Sequence, residues 1–446
     1  MGICMPFLEQ QTHPDGGSGR KGLVLTAGSR RGQTMLKTAK NIFVVCLAAC
    51  GIGYGQDQSR ADQIESERIQ KEANLSPETP PKAEMKIEWL ENSPYYRLFT
   101  GSLDGFALGF GTILPGSGFA IRPSYTRPDL LGGKLVLRLD ALGAINKSYL
   151  GGVHLAMPDL LEGHAFWDFG VVHRDISEMP YYGSGPDSRK TGRSDFRLED
   201  TNIAFRPGVR VHKGLRANLI GSYLAVNVGP GHSSQYISTG QQYGPEVAPG
   251  IDHQTDFWRG GGKVEYDWRD DSSSPTSGGR YYAQYLRYLD QNLGAYSFYR
   301  LDLDASQFIP LFNHTHVIAL HAASSLTDTS ANQHVPFYLQ PTLGGPDTLR
   351  GYRFDRFYGD NSTLATAEYR WELSPTLGMV AFFDGGKVFN QWEQWNFHNI
   401  QTDVGFGFRL RNPSSSKTSF NFDTGFSHEG FQIWFRVNSA FESRPE

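Results

Sequence analysis

The residues best equipped for chemistry sit in one stretch, LGGPDTLRGYRFDRF, Leu343 to Phe357. It carries three arginines, Arg350, Arg353 and Arg356, among glycines and aromatic residues. A guanidinium is a planar fork that can grip two carboxylates through charge-assisted hydrogen bonds. An arginine on a long loop therefore either projects into solvent or is captured by acids elsewhere in the chain. Gly351, directly after Arg350, permits a backbone angle or a close approach that a larger residue resists. Catalysis is the other chemistry to weigh, because serines and histidines are plentiful. No Gly-x-Ser-x-Gly or His-Glu-x-x-His stretch occurs, and His154, His173 and His232 are scattered as loop or rim residues would be. We expect no enzyme activity, no catalytic residue, no metal and no cofactor.

The elements that must position these arginines follow from texture. The chain has 446 residues, 20% charged and 13% aromatic, with 51 glycines. That is too aromatic and glycine-rich for a disordered chain and too polar for a bundle of membrane helices. A net charge of -4 leaves no nucleic-acid footprint. From Gly105 to Phe441 apolar and polar residues alternate over strand-length segments separated by turn signals. In TLATAEYRWEL, Ala365, Ala367, Tyr369, Trp371 and Leu373 share one face, opposite Thr366, Glu368, Arg370 and Glu372. Val404, Phe406, Phe408 and Leu410 likewise oppose Asp403, Arg409 and Arg411. A soluble sandwich rarely lines its second face with so many mid-strand charges, whereas a membrane barrel turns one face to lipid and the other to a wet lumen.

Sixteen such segments run from Gly105–Leu114 to Phe431–Phe441, among them Ala165–Arg174, Leu364–Leu373, Gly378–Phe389 and Thr402–Leu410. An even count suits a closed bacterial barrel, in which every backbone group finds a partner. With the first strand rising from the periplasm, the inner turns are short (HKG, FNHTH, SPT, NPSSSK). Several outer loops are long, notably 175–195, 227–256 and 327–363. That is the outer-membrane asymmetry. The expected fold is all-β, a transmembrane antiparallel β-barrel of sixteen strands.

Ahead of the barrel, residues 1–56 read as an over-extended start followed by a secretory signal at about 35–56, with a basic beginning, an apolar middle and small residues at its end. Cleavage after Gly55 and lipidation at Cys50, within LAAC, are the two processing alternatives. Cys4, Cys46 and Cys50 are the only cysteines, so the exported part is thiol-free. Residues 57–94 form a short charged periplasmic segment with a proline-containing linker, and residues 95–446 the outer-membrane barrel.

Three motifs and a weaker fourth resemble the BamA/TamA family, the bacterial surface-antigen barrels that also include two-partner-secretion transporters. FYLQPTLGGPDTLRGYRF, Phe337 to Phe354, with Gly344 and Gly345, is similar to the family's sixth outer loop and its Val/Leu-Arg-Gly-Phe/Tyr tip, here Arg350, Gly351 and Tyr352. AEYRWEL and AFFDGGKVF, with Asp384, Gly385 and Gly386, resemble the two strands that follow it. YDWRDDSSSPTSGGRYY, with Asp267, Arg269, Asp270, Pro275 and Gly278, is similar to a strand end and periplasmic turn of the family. MPYYGSGPDS, Met179 to Ser188, resembles a weaker loop motif.

The resemblance implies that the long loop folds into the lumen, where Arg350 pairs with Asp384 and Glu368. Parity agrees, since Glu368 is on the polar face and Asp384 shares its face with Val380 and Phe382. Charge reversal at Arg350 should then disturb the barrel more than reversal at Arg353 or Arg356. It further implies a seam between the first and last strands, with Gly105, Gly109 and Gly111 weakening one side and Phe441 near the end of the other. Such a seam can open and offer an edge to an incoming strand. Relief of crowding at barrel bends is the plainer account of those glycines. The implied function is insertion or translocation of polypeptides. Its partners would be outer-membrane lipid and lipopolysaccharide, and either unfolded polypeptide clients or a separate periplasmic protein. Residues 56–95 are too short for a family periplasmic (POTRA) domain. The alternative is a passive porin-like channel or a structural surface antigen.

Overall fold

The structure, a computed structural model, describes residues 103–312, 315–412 and 415–437. The export signal, Cys50, the charged segment at 57–94 and Phe441 lie outside the described residues.

Alternation of apolar and polar side chains produces sixteen long strands. They are β1 (Phe106–Gly111), β2 (Ala120–Asp129), β3 (Leu135–Ala144), β4 (Tyr149–Leu160), β5 (Ala165–Tyr181), β6 (Ser194–His212), β7 (Leu215–Pro230), β8 (Phe257–Asp267), β9 (Gly278–Asp290), β10 (Phe298–Leu311) and β11 (His316–Thr329). Two short strands, β12 (Thr342–Leu343) and β13 (Phe357–Tyr358), follow inside the loop after β11. The wall resumes with β14 (Asn361–Glu372), β15 (Leu377–Phe389), β16 (Gln401–Asn412), β17 (Ser415–Ser427) and β18 (Gly430–Val437). The long strands form one sixteen-stranded sheet in sequence order, antiparallel throughout, while β12 and β13 pair with each other.

Each of the sixteen expected segments is a strand, and the departures are at their ends. β5 continues to Tyr181, beyond the expected Arg174, because its later residues go on pairing with β6 past a bulge between Ile176 and Met179. β1 is shorter than expected. Gly105 precedes it in a left-handed turn at φ 86°, where a side chain would collide with the carbonyl of Thr126. Gly109 and Gly111 lie within β1.

The two faces of the sheet differ in chemistry. Leu219, Val264, Tyr285, Leu303, Leu320, Tyr369, Phe383, Val404, Phe406 and Phe422 are exposed on one face. Arg259, Gln284, Asp304, His321, Glu368, Asp384 and Asp423 are buried on the other. An apolar exterior this extensive is suited to lipid, not water. Among the described residues no helix is long and apolar enough to cross a membrane.

No ladder joins β1 to β18 among the described residues. The sheet nevertheless curls around the loop between β11 and β14. Phe337 of that loop packs edge-on against Tyr181 of β5 and Phe196 of β6, with Phe257 and Phe298 in the same cluster. Farther along, the loop bonds to β14, β15 and β18. One segment can reach strands so far apart in the sheet only if the wall surrounds it.

Candidate functional site

The site begins with a turn that only glycine allows. Gly344 and Gly345 have φ of 114° and 105°. A Cβ on Gly344 would lie 2.8 Å from the Arg356 nitrogen, so the two limbs of the loop can close here and β12 can pair with β13. Thr348 Oγ1 accepts a hydrogen bond from the Gly344 amide at 2.8 Å, and the Asp355 amide donates to the Gly344 carbonyl at 3.3 Å. Leu343, Leu349, Tyr352 and Phe357 then pack with Leu364 and Val388 of the wall.

This packing delivers Arg350 to the carboxylates. Its Nε and NH2 donate to Asp384 Oδ2 and Oδ1 at 2.8 and 2.7 Å, while NH1 donates to Glu368 Oε1 at 2.5 Å. The guanidinium carbon lies 3.4 Å from the centre of the Phe382 ring. The Arg350 side chain is 2% exposed and both acids 0%. Burial alone would lower the Arg350 pKa, but the Asp384 and Glu368 charges outweigh it and hold the group above the ordinary arginine value. Arg370 takes the second oxygen of Glu368 at 2.8 Å. The structure thus brings together Arg350, Glu368 and Asp384, all legible from parity and motif.

The tip also reaches the last two strands. Trp434 Nε1 of β18 donates to the Arg350 carbonyl at 2.7 Å. Arg436 of β18 bonds Asp347 of the loop at 3.2 Å and Asp423 of β17 at 2.6 Å, and Asp423 also accepts from Arg409 at 2.6 Å. Ser427 Oγ donates to the Gly351 carbonyl at 2.9 Å. Two glycines make the approach possible. A Cβ on Gly351 would come within 2.5 Å of Asp403 Cβ, and one on Gly425 within 2.5 Å of the Arg350 carbonyl carbon. Tyr352 Oη lies 3.0 Å from His428 Nδ1, and burial, with the charges of Asp403 and Glu429, pushes its phenol up to about 12.

Sequence reasoning did not name Gly425, Trp434 or Arg436, and it put Asp403 and Asp423 on the polar face without assigning them to the site. Parity could have placed the others there too, but nothing in the sequence says that the loop tip reaches as far as β18. It also did not distinguish Arg356 from Arg353. Arg356 is 2% exposed, bonds Glu429 at 2.8 Å and donates to the Ser188 carbonyl at 2.8 Å. Its partners lie in two other outer loops, hence its invisibility to local pattern. Arg353 is only half-buried, beside Tyr182 and Tyr236.

The other motif residues have separate places. Asp267 bonds Arg269 at 2.7 Å, Asp270 accepts the Thr276 and Ser277 amides at 3.0 and 3.1 Å, Pro275 is buried, and Gly278 has φ 92°. They build the turn between β8 and β9, at the opposite end of the strands from the arginine loop. Gly386 faces inward, where a Cβ would meet Leu343 at 3.0 Å, and Gly385 faces outward beside Phe383 and Ile400. The Tyr-Tyr-Gly-x-Gly stretch meets the loop directly: the Gly185 amide donates to the Tyr358 carbonyl at 2.7 Å.

With this geometry in view, the relatives are informative. The model of the Omp85 superfamily domain matches residues 187–432. The chain belongs to the Omp85 superfamily. As an Omp85 protein it has the outer-membrane β-barrel fold of that superfamily's transporters and insertases. A crystal structure of BamA from Haemophilus ducreyi lacking POTRA domains 1-3 is similar at a TM-score of 0.57 and 17% identity, over 75% of this chain and 70% of that one. CdiB from Escherichia coli is similar at a TM-score of 0.50 and 14% identity, over 75% of this chain and 62% of that one. No curated protein matches the sequence.

Proposed function

We propose that this Omp85 protein inserts polypeptides into the outer membrane or moves them across it, acting at the seam between β1 and β18, with the β11–β14 loop as the latch. The reading assigns work to the wall and none to a catalytic centre. One observation carries it: the loop tip is bonded at once to β14 and β15 through the Arg350 side chain and to β18 through Trp434. A displacement of the loop would therefore be transmitted to an edge strand, and an edge strand can pair with an incoming one. The same loop and its ion pairs occupy the lumen, which favours a gated wall over a passive pore. Clients would be unfolded chains offering a strand, delivered directly or by a separate periplasmic partner.

The test is to delete the gene and quantify the outer-membrane and secreted proteomes, then complement with the native chain and with Arg350→Ala. Selective depletion of particular polypeptides, restored only by the native chain, is expected. Unchanged proteomes with altered uptake of small solutes would instead establish a porin.

A further inference from the structure

The outer loop between β15 and β16 holds aromatic residues where solvent would not favour them. Trp392, Trp395 and Phe397 are 57%, 61% and 94% exposed. Exposure alone means little, but this loop is built to maintain it. Lys387 of β15 is buried, and its ammonium donates to the Asn396 carbonyl at 3.2 Å, to Asn396 Oδ1 at 2.9 Å and to the His398 carbonyl at 2.6 Å. Those bonds grip the backbone on both sides of Phe397. Asn396 Nδ2 donates to the Glu393 carbonyl at 3.2 Å, and Gln391 and Gln394 close the short turn at Trp392–Gln394.

Strand parity shows which way the loop leans. Along β15, Val380, Phe382 and Asp384 face the lumen, whereas Ala381 and Phe383 face out. Lys387 and Phe389 have the outward parity, yet both are buried, because the loop lies over them, with Trp392 against Phe389 at a ring separation of 5.8 Å. Below the loop the outward face continues through Ile400, which sits beside Gly385, to Phe383 and Val404, all exposed. The aromatic loop is thus the upper end of the lipid-facing belt, on the side of the long loops.

We propose that Trp392, Trp395 and Phe397 form an anchor that inserts into the headgroup region of the outer leaflet and fixes β15 at a set depth in the bilayer. The amphipathic rings of Trp392 and Trp395 suit that region, the apolar Phe397 ring suits the boundary between headgroups and acyl chains, and continuity with the apolar belt makes lipid the occupant. Among the described residues nothing covers the Phe397 ring. Since Asp384 lies on the same strand as Lys387, the anchor holds in place the strand that receives Arg350.

A label at position 397 tests this. Phe397→Cys, in a full chain whose Cys4, Cys46 and Cys50 are serine, would be derivatised with an environment-sensitive fluorophore and reconstituted into phosphatidylcholine vesicles. Gln291→Cys, in another outer loop, provides the water reference, and Val404→Cys the lipid reference. Heat-modifiable gel mobility confirms that each variant folds. The expected result is a blue-shifted emission at position 397, quenched more by nitroxides near the headgroups than by nitroxides deep in the acyl chains. Emission matching the Gln291 label, with no quenching at either depth, overturns the proposal.

Discussion

The two edges of the sheet are built differently. At one edge, β1 has six residues, and its partner β2 contains Pro123 and Pro128, which cannot donate to a ladder. The ladder from β2 to β3 omits Arg122 and Pro123, and the charged contacts nearby are loose, with Arg122 and Arg138 at 3.8 and 3.5 Å from Asp140. At the other edge, β17 and β18 are drawn toward the loop by Arg436, Trp434 and Ser427, and Asp423 accepts two guanidinium groups at 2.6 Å each. One lip is weakly paired and the other is braced from inside. On the function proposed above, such a seam would open by loss of a few interactions on the β1 side while β18 stays in position, and release of the loop would be needed to free β18.

Breaking the brace should have the largest effect. Arg350→Glu places a third acid against Glu368 and Asp384, and loss of a buried partner costs about 3 to 5 kcal/mol. A lower urea midpoint in vesicles, with faster hydrogen exchange in β14, β15 and β18, is expected, and an unchanged midpoint would remove the clamp from the account. Arg356→Glu comes next, at about 2 to 4 kcal/mol, because it strands the charge of Glu429. Arg353→Glu, half-buried, should cost about 0 to 1 kcal/mol. Equal effects at 353 and 356 would contradict the burial difference between them.

Smaller changes separate the lips from each other. Trp434→Phe keeps the ring and removes the donor to the Arg350 carbonyl, for about 1 kcal/mol, and exchange should quicken in β18 but not in β1. Pro123→Val restores a backbone donor on the β3 side of β2 and should slow exchange in β2 and β3, by an equilibrium gain of about 0.5 to 1 kcal/mol. If instead it quickens exchange there, the weakness of that lip has another source.

The smallest effect concerns a point distant from both. Slight burial pushes the Asp270 carboxyl up, but hydrogen bonds from Thr276, Ser277 and Asp271 outweigh this and hold it below the usual carboxylate range. A depressed pKa stabilises the folded form above the unfolded value of about 3.9, and that contribution is lost as pH falls through the lower folded value. Acid should therefore loosen the β8–β9 turn before the lips respond. Asp270→Asn should remove that step from a pH titration of exchange in the turn.

The wall was legible because a period of two is written locally: each strand declares its faces through its own residues, as Ala365 to Leu373 and Val404 to Leu410 do. Motif and parity also placed Arg350, Glu368 and Asp384 on a common side. The limits appear where contact depends on how far a loop reaches. Arg356 looked equivalent to Arg353 in sequence, yet its carboxylate is Glu429 and its carbonyl Ser188, each in a different outer loop.

By itself, then, the sequence determined the sheet, the number and order of its strands, which face meets lipid and which residues could receive an arginine. Only the tertiary structure decided that the tip lies against Gly425 and bonds Trp434, that one lip is braced and the other is not, and that an aromatic loop folds over Lys387. The physical reason is one of range. Alternation is set by backbone geometry between neighbouring residues, whereas a loop's resting place depends on the shape of the space its distant partners leave, such as the gap that the missing side chain of Gly425 leaves for the Arg350 backbone.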